Sequence, residues 1–422
     1  MAAEAIFRRM KHQYESGKNL DAKPNIRSWN ALLNAHANSG NAERAEEILR
    51  RLLHNYSNDN ESVKPTTYTF GAVINGYAKL GTIDAAQKAE GLLLEMEYLW
   101  KEHQQNDAGS SKIHSNSVKP NKIVYSSVVT AYAKSRHRGA AEKAELLLKR
   151  MERIWRENGD CDFCPDTVIY TSCINAYAKS RERGSAKRAM ELFKKLEDLW
   201  QNDNLNCCQP NVFTFSALIN ALSNNSNSNN SGGGGEGEEN VVHQAHAMLE
   251  HMEQMHNSGY KDVAPNTVVY NNVILAYARS HFREKAEYAM ELLQSMKEQY
   301  ERGNNRLRPD VITHNSVLHA CAASSIHGLN TSQKRKVFFI ASNVFQTMKA
   351  SIDIKPTSYS YVLYLKACGN LIPVGKTRTD LLRKVFILCG EDGMVNREVV
   401  HQIQLTCSPI LANDLLAEFS TK

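Results

Sequence analysis

The chain alternates between apolar segments of helical period and polar segments that each contain one proline. Residues 120–134 read PNKIVYSSVVTAYAK and residues 165–179 read PDTVIYTSCINAYAK. In the second segment, Ile169, Cys173 and Tyr177 recur every four residues, so they lie on one face of a helix. The pattern therefore predicts an amphipathic helix after the proline.

This proline-headed segment occurs eight times, at intervals of 41 to 55 residues. The eight prolines are Pro24, Pro65, Pro120, Pro165, Pro210, Pro265, Pro309 and Pro356. A period in this range is typical of repeat arrays, in which each unit buries its apolar face against its neighbours. We therefore expect one all-α array of helix-turn-helix repeats rather than several globular domains.

A second helix in each unit is predicted by an alanine that is followed, seven residues later, by methionine or leucine. The pairs are Ala3/Met10, Ala45/Leu52, Ala89/Met96, Ala144/Met151, Ala189/Leu196, Ala245/Met252, Ala289/Met296 and Ala341/Met348. Seven residues are about two helical turns, so both members of a pair face the same way. Trp100, Trp155, Trp200 and Tyr300 extend this helix. We interpret these side chains as core.

The repeats divide the chain into three parts. Residues 1–25 are predicted to be a partial N-terminal repeat, residues 26–357 seven full repeats, and residues 358–422 a degenerate repeat with capping helices. Two polar inserts, at about 104–117 and 224–240, are predicted to be disordered because they contain few apolar residues.

Composition adds only weak constraints. A hydrophobic content of 42% suffices for a continuous core, and a net charge of +6 permits a polyanionic partner without requiring one. No apolar stretch is long enough for a membrane span, so no membrane partner is expected. Nine scattered cysteines suggest reduced thiols. The N-terminus shows no targeting peptide, which leaves a cytosolic protein or a chain whose leader is missing.

These segments resemble the pentatricopeptide repeat family. The resemblance rests on Pro-Asn or Pro-Asp followed by a Val-Thr-Tyr-Asn-like run, as in PNTVVYNNVILAYAR at 265–279 and PDVITHNSVL at 309–318. It covers about residues 1–370, with units longer than the family's. The long units are similar to the repeat region of protein-only RNase P, without its nuclease domain. The resemblance implies a right-handed superhelical solenoid that binds single-stranded RNA, one base per repeat.

The resemblance also implies the base-reading positions, which are the sixth residue after each proline, called here the lead residue, and the residue just after the next proline. These pairs are Asn30 with Thr66, Gly71 with Asn121, Ser126 with Asp166, Thr171 with Asn211, Ser216 with Asn266, Asn271 with Asp310, and Asn315 with Thr357. The family's pairing rules imply a target near 5′-pyrimidine, any, G, A, A, U, pyrimidine-3′. Gly71 has no side chain and should read nothing.

The resemblance implies two further rows of residues that contact RNA. Base-stacking residues, three after each proline, are Arg27, Tyr68, Ile123, Val168, Phe213, Val268 and Ile312, with Tyr359 in the degenerate repeat. Phosphate-contacting residues, fourteen after the proline, are Lys79, Lys134, Lys179 and Arg279. Simpler interpretations stay open, because polar residues after proline also cap helices and lysine at a helix end also compensates the helix dipole.

Other candidate sites are weaker. Cys161 and Cys164 have metal-like spacing, and Cys207 and Cys208 lie in the corresponding loop of the next repeat, but adjacent cysteines fit one ion poorly. His243, His246 and His251 lack a matching carboxylate. Residues 374–377 (VGKT) follow Gly369 at a spacing one residue too long for a phosphate-binding loop. We predict no catalytic residues, no metal and no cofactor.

The sequence therefore predicts a non-enzymatic, sequence-selective single-stranded RNA-binding array. By family resemblance it would act in a mitochondrion or plastid, in RNA processing, stability or translation, with a processing nuclease or another protein as a further partner. The main alternative is a tetratricopeptide-like scaffold for protein-protein interaction. A third hypothesis is that the chain is a remnant nuclease subunit.

Overall fold

A computed structural model describes residues 2–57, 63–106, 118–180, 182–203, 205–225, 237–324 and 328–420. These residues form nineteen α-helices joined by turns and short 3-10 helices, and no β-strand occurs among them. The predicted all-α class of helix-turn-helix repeats is confirmed.

Each repeat consists of a first helix after its proline and a second helix that follows a turn. The first helices are α2 (Ile26–Asn38), α4 (Thr67–Leu80), α6 (Lys122–Ser135), α8 (Thr167–Ser180), α10 (Val212–Asn225), α12 (Thr267–Arg279), α14 (Val311–Ala323) and α16 (Ser358–Leu371). The second helices are α1 (Ala2–Glu15), α3 (Ala42–Ser57), α5 (Ile83–Asn106), α7 (Ala140–Asn158), α9 (Ser185–Gln201), α11 (Gly237–Asn257), α13 (Lys285–Glu301), α15 (Thr331–Ala350) and α17 (Lys376–Glu391), and α18 (Arg397–Thr406) and α19 (Pro409–Ser420) follow.

The chain forms two compact units, Met1–Pro210 and Asn211–Lys422. Within the first unit, α2 contacts α4, α4 contacts α6 and α6 contacts α8, and α3, α5 and α7 each pack against the first helix of their own repeat and that of the following repeat. Within the second unit, α10, α12, α14 and α16 repeat this arrangement. Each unit is therefore a stack of hairpins whose first helices form one continuous layer.

The core of both units follows the predicted pattern. Both members of every alanine and methionine or leucine pair from Ala45/Leu52 to Ala341/Met348 are buried, whereas Ala3 and Met10 in α1 are half-buried. In seven of the eight loops, a buried apolar residue two positions before the proline ties the loop to this core. These residues are Ala22, Val63, Val118, Phe163, Cys208, Val263 and Leu307.

Adjacent repeats of the first unit are also joined by buried carboxylates on the second helices. Glu145 of α7 accepts hydrogen bonds from the Tyr177 hydroxyl of α8 (2.6 Å) and from Nε of Arg188 in α9 (2.7 Å). About two helical turns further along α7, Glu152 accepts a hydrogen bond from the Tyr170 hydroxyl at 2.5 Å and pairs with Lys195. Each glutamate is thus held by the first and second helices of the following repeat.

The partners of Glu145 shift its ionisation. Burial alone would raise the pKa of Glu145, but hydrogen bonds from Arg188, Lys149 and Tyr177 outweigh burial and lower it to about 2. A buried carboxylate that lost these partners would be strongly destabilising, so the pairs fix which faces of neighbouring repeats meet. The sequence indicated that the tyrosines fill space, and it did not show that their hydroxyls are bonded.

The predicted inserts overlap helix ends. Helix α5 extends to Asn106, α10 to Asn225, and α11 begins at Gly237. The rest of the two inserts, residues 107–117 and 226–236, lies outside the described residues.

Candidate nucleic-acid interface

The third residue after each proline is exposed along the whole array. Apart from Arg27, these side chains are large and apolar, and 48 to 73% of their surface is exposed, although burial in the core would be favourable. The apolar members are Tyr68, Ile123, Val168, Phe213, Val268, Ile312 and Tyr359. Within each unit these residues form an exposed apolar row along the layer of first helices. Exposed apolar side chains that recur at one position along the repeats are typical of a binding site.

The lead residues lie three positions further along, on the same helix face. Asn30, Gly71, Ser126, Thr171 and Ser216 are half-buried, whereas Asn271 and Asn315 retain only 8 and 9% exposure. The carbonyl oxygens of Asn30, Asn271 and Asn315 are buried and have no hydrogen-bond partner among the described residues. A buried acceptor without a partner costs free energy that a bound hydrogen-bond donor would recover.

The residue after each proline caps the helix that follows. Asn121, for example, accepts a hydrogen bond from the Val124 N–H at 3.1 Å, and Asp166 accepts from the N–H groups of Val168 and Ile169. Asn25, Thr66, Asn211, Asn266, Asp310 and Thr357 do the same. The capping interpretation is therefore confirmed.

Capping does not exclude a second contact. Oδ1 of Asp310 accepts from the Thr313 N–H at 2.8 Å and also from the Asn271 side-chain amide at 3.3 Å. Of the six predicted base-reading pairs that lie within one unit, this is the one joined by a hydrogen bond among the described residues. The seventh pair, Thr171 with Asn211, has its members in different units.

A groove of about 320 Å³ lies on the first-helix layer of the first unit. Ile123 and Val168 line it together with the predicted pair Ser126 and Asp166 and with Lys134. The structure thus brings one representative of each predicted row into a single concave surface of this unit.

Sequence reasoning missed a fourth row in this groove. Asn75 and Thr130, each ten residues after a proline, also line it, and the Thr130 hydroxyl lies 3.4 Å from the hydroxyl of Ser172 in the next repeat. Asn34, Asn175 and Asn220 occupy the same position elsewhere. Helical geometry could have revealed them, because this position lies two turns beyond the apolar row.

The four predicted phosphate-contacting residues have different surroundings. Nζ of Lys79 donates to Asn38 at 2.6 Å, and Nη1 of Arg279 donates to Asn224 at 2.6 Å. Lys134 and Lys179 form no hydrogen bond or ion pair with any described residue. Burial lowers the pKa of Lys179, and the positive charges of Arg136 and Lys134 lower it further.

A second group of cations lies on the second unit. Burial lowers the pKa of His319 to about 4, with added repulsion from Lys366, Arg279 and Lys285. His319 and Lys366 both stand ten residues after their prolines, in repeats where Ala323 and Asn370 replace the predicted cation. Of these two residues, only Lys366 is a cation at this shifted helical position near pH 7, because the lowered pKa leaves His319 neutral.

The candidate metal residues are not assembled into a site. In the described part of the chain, no three His, Cys, Asp or Glu side chains are placed to hold a metal ion. Cys164 and Cys207 are 3.8 Å apart between their sulfur atoms, but Cys208 is a core residue of its loop. His243 and His251 pack against Phe282 and Phe215, and His246 pairs with Tyr277 at 2.9 Å.

None of the described helices is both long enough and apolar enough to cross a membrane. All nine cysteines are free thiols.

The fold and these rows define a class of protein: a helical-hairpin repeat protein with a periodic row of exposed apolar side chains. A sequence profile described as pentatricopeptide repeat domain matches residues 15–80, 153–225 and 252–324, together slightly more than half of the chain. The chain belongs to the pentatricopeptide repeat family. This assignment agrees with the prediction of a non-enzymatic repeat array. No curated protein matches the sequence.

Similar solved structures include the pentatricopeptide repeat protein PPR10 in complex with an 18-nucleotide psaJ RNA element, at 16% identity and a TM-score of 0.28. The similarity covers 99% of this chain and 66% of PPR10. A PPR10 variant with three cysteines replaced by serine, in complex with the same RNA element, has the same values. This chain therefore spans 66% of the length of that protein.

Proposed function

We propose that this protein binds single-stranded RNA through its first-helix layers, with one base contacted by each repeat. The observation that carries the proposal is the exposed apolar row, because side chains such as Ile123, Val168 and Phe213 stay in water unless a flat ligand covers them. Nucleic-acid bases stack on such surfaces, and each base would lie between the row members of two consecutive repeats.

The polar residues beside this row supply the selectivity. Bases present hydrogen-bond donors and acceptors at their edges, and the predicted base-reading pairs present amide, hydroxyl or carboxylate groups at matching intervals. The free carbonyl oxygens of Asn30, Asn271 and Asn315 would accept from a base, and Asp310 would orient Asn271 for this contact. Catalytic chemistry is not part of the proposal.

In the cell, such a protein would act in a mitochondrion or plastid, on RNA processing, stability or translation. Binding alone suffices for these roles, because an occupied segment is shielded from nucleases or kept unpaired. A processing nuclease or another protein would then be recruited to the bound transcript.

The test is a filter-binding titration of the full chain with single-stranded RNA that contains UUGAAUU. We expect at least tenfold tighter binding than to a scrambled oligomer, and an affinity that falls steeply as salt rises, because phosphate contacts release counterions. Equal affinity for both oligomers would refute sequence-selective reading. A groove that bound peptides instead would show no RNA retention and little salt dependence.

A further inference from the structure

The end of helix α6 has an unusual backbone. Arg136 caps this helix with φ 51 and ψ 18, and it is the one residue other than glycine with positive φ among the described residues. The equivalent C-cap of the preceding repeat is Gly81, with φ 69. A β-carbon is unfavourable in this conformation, so glycine would suit the fold better at position 136.

The side chain of Arg136 does not offset this cost by a polar contact with any described residue. The Arg136 side chain is exposed and forms no hydrogen bond or ion pair with any described residue. Strain that stability does not require is typically found at functional positions.

The neighbours of Arg136 are also cations. A β-carbon added to Gly81 would lie 3.8 Å from Cβ of Lys134, so the C-cap of one repeat lies beside the lysine of the next. By the same relation, Arg136 lies beside Lys179. Burial lowers the pKa of Lys179 most, the charge of Arg136 has the next largest effect, and the charge of Lys134 follows. Lys134, Arg136 and Lys179 therefore form one cationic cluster.

Nearby carboxylates are occupied elsewhere. Asp166 accepts hydrogen bonds from the first N–H groups of α8, and Glu182 accepts from the Gly139 N–H at 2.9 Å. Three positive charges in one cluster repel one another. Lys134 at the same time lines the 320 Å³ groove between Ile123 and Val168.

We propose that Lys134, Arg136 and Lys179 bind a phosphodiester group of RNA, and that Arg136 is the phosphate-binding residue that distinguishes this repeat from the others. The site rests on the RNA-binding function proposed above. The planar guanidinium can hold two phosphate oxygens at once, whereas each lysine contributes a point charge. This cluster would anchor the strand where the third repeat meets the fourth, while Lys79 and Arg279 are already engaged by asparagines.

The test compares the full chain with Arg136→Gly, using fluorescence anisotropy of end-labelled UUGAAUU RNA from about 0.05 to 0.5 M salt. The variant should bind about three- to tenfold more weakly at low salt, and its slope of log affinity against log salt should be shallower by about 0.7. Its melting temperature should stay equal or rise, because glycine relieves the backbone strain. Arg153→Gln, on the second helix of the same repeat, is the control for net charge.

The reciprocal variant Gly81→Arg places a guanidinium beside Lys134, and it should steepen the salt slope by about 0.7 despite a lower melting temperature. Wild-type binding with an unchanged slope in Arg136→Gly would overturn the phosphate site and leave the proposed function intact. Absence of RNA binding by the wild-type chain would overturn both.

Discussion

The side-chain amide of Asn271 donates a hydrogen bond to Asp310 across 3.3 Å, although 39 residues separate them in the chain. Asp310 is itself fixed by the Thr313 N–H at the start of α14. A helix N-terminus in one repeat thus orients a side chain of the previous repeat. Helix capping and base reading are therefore compatible roles of the residue after proline.

Exchange of this pair should change base preference. The double variant Asn271→Ser, Asp310→Asn reproduces the chemistry of Ser216 with Asn266, for which the family's rules imply adenine. We expect it to prefer UUGAAAU over UUGAAUU by about five- to tenfold, the reverse of the wild type, since the hydrogen-bonding groups at one base edge are exchanged.

Competition binding with the two RNAs measures this change. Asparagine also caps helices, so Asp310→Asn alone should preserve the melting temperature and serves as the folding control. An unchanged preference for uridine in a folded double variant would contradict the assignment of this pair.

Removal of one member of the apolar row should weaken binding without harming the fold. Ile123→Ser deletes a side chain that is 69% exposed, so the free energy of unfolding should change by less than about 0.5 kcal/mol. RNA affinity should fall by about 1 kcal/mol whatever the base, because stacking does not select among bases.

The matched control is Leu146→Ser, on the second helix of the same repeat, where the leucine is 58% exposed. RNA titrations and thermal melts of both variants measure the effects. Similar loss of RNA affinity in both would show that exposed apolar area, and not this row, matters.

Buried Glu145 predicts acid sensitivity of the first unit. Because the folded pKa of Glu145 is about 2, below its ordinary value of 4.5, the carboxylate stabilises the fold above about pH 4.5, and this contribution disappears as the pH falls toward 2. Glu145→Gln should lower the free energy of unfolding at pH 7 by about 1 to 3 kcal/mol. Between pH 7 and pH 3, the free energy of unfolding of this variant should fall less than that of the wild type.

Urea unfolding at the two pH values measures both effects. Glu191, which pairs with Arg188 on the surface, provides the control, and Glu191→Gln should cost less than about 0.5 kcal/mol. A pH dependence that Glu145→Gln leaves unaltered would assign acid sensitivity to other groups.

Close helix packing in the second unit depends on Gly369. A β-carbon there would lie 2.3 Å from Cγ2 of Thr406, whose hydroxyl is held by Gln402 at 2.6 Å. Gly369→Ala should therefore destabilise the unit by about 1 to 3 kcal/mol. Adding Thr406→Ala to this variant should restore most of the lost stability.

Thermal melts of the single and double variants measure this coupling. Gly91→Ala is the control, because no atom lies within 4 Å of its added β-carbon and alanine favours the helix. Failure of Thr406→Ala to rescue would place the clash elsewhere.

The sequence determined the repeats and the face of each first helix. The spacing of the alanine and methionine or leucine pairs predicted the core, and the family resemblance implied the row from Tyr68 to Tyr359 that the structure leaves exposed. Proline, with a polar residue after it, sets where each helix begins, and the caps at Asn121 and Asp310 confirmed this register.

Only the tertiary structure decided which side chains meet across repeats. Lys79 and Arg279 lie opposite Asn38 and Asn224 at the same position of the preceding repeat, and the asparagines accept their hydrogen bonds. Lys134 and Lys179 follow repeats that carry Lys79 and Lys134 there, so a second lysine replaces the asparagine at that position. Contacts between residues about forty positions apart depend on how helices stack, which local periodicity does not specify.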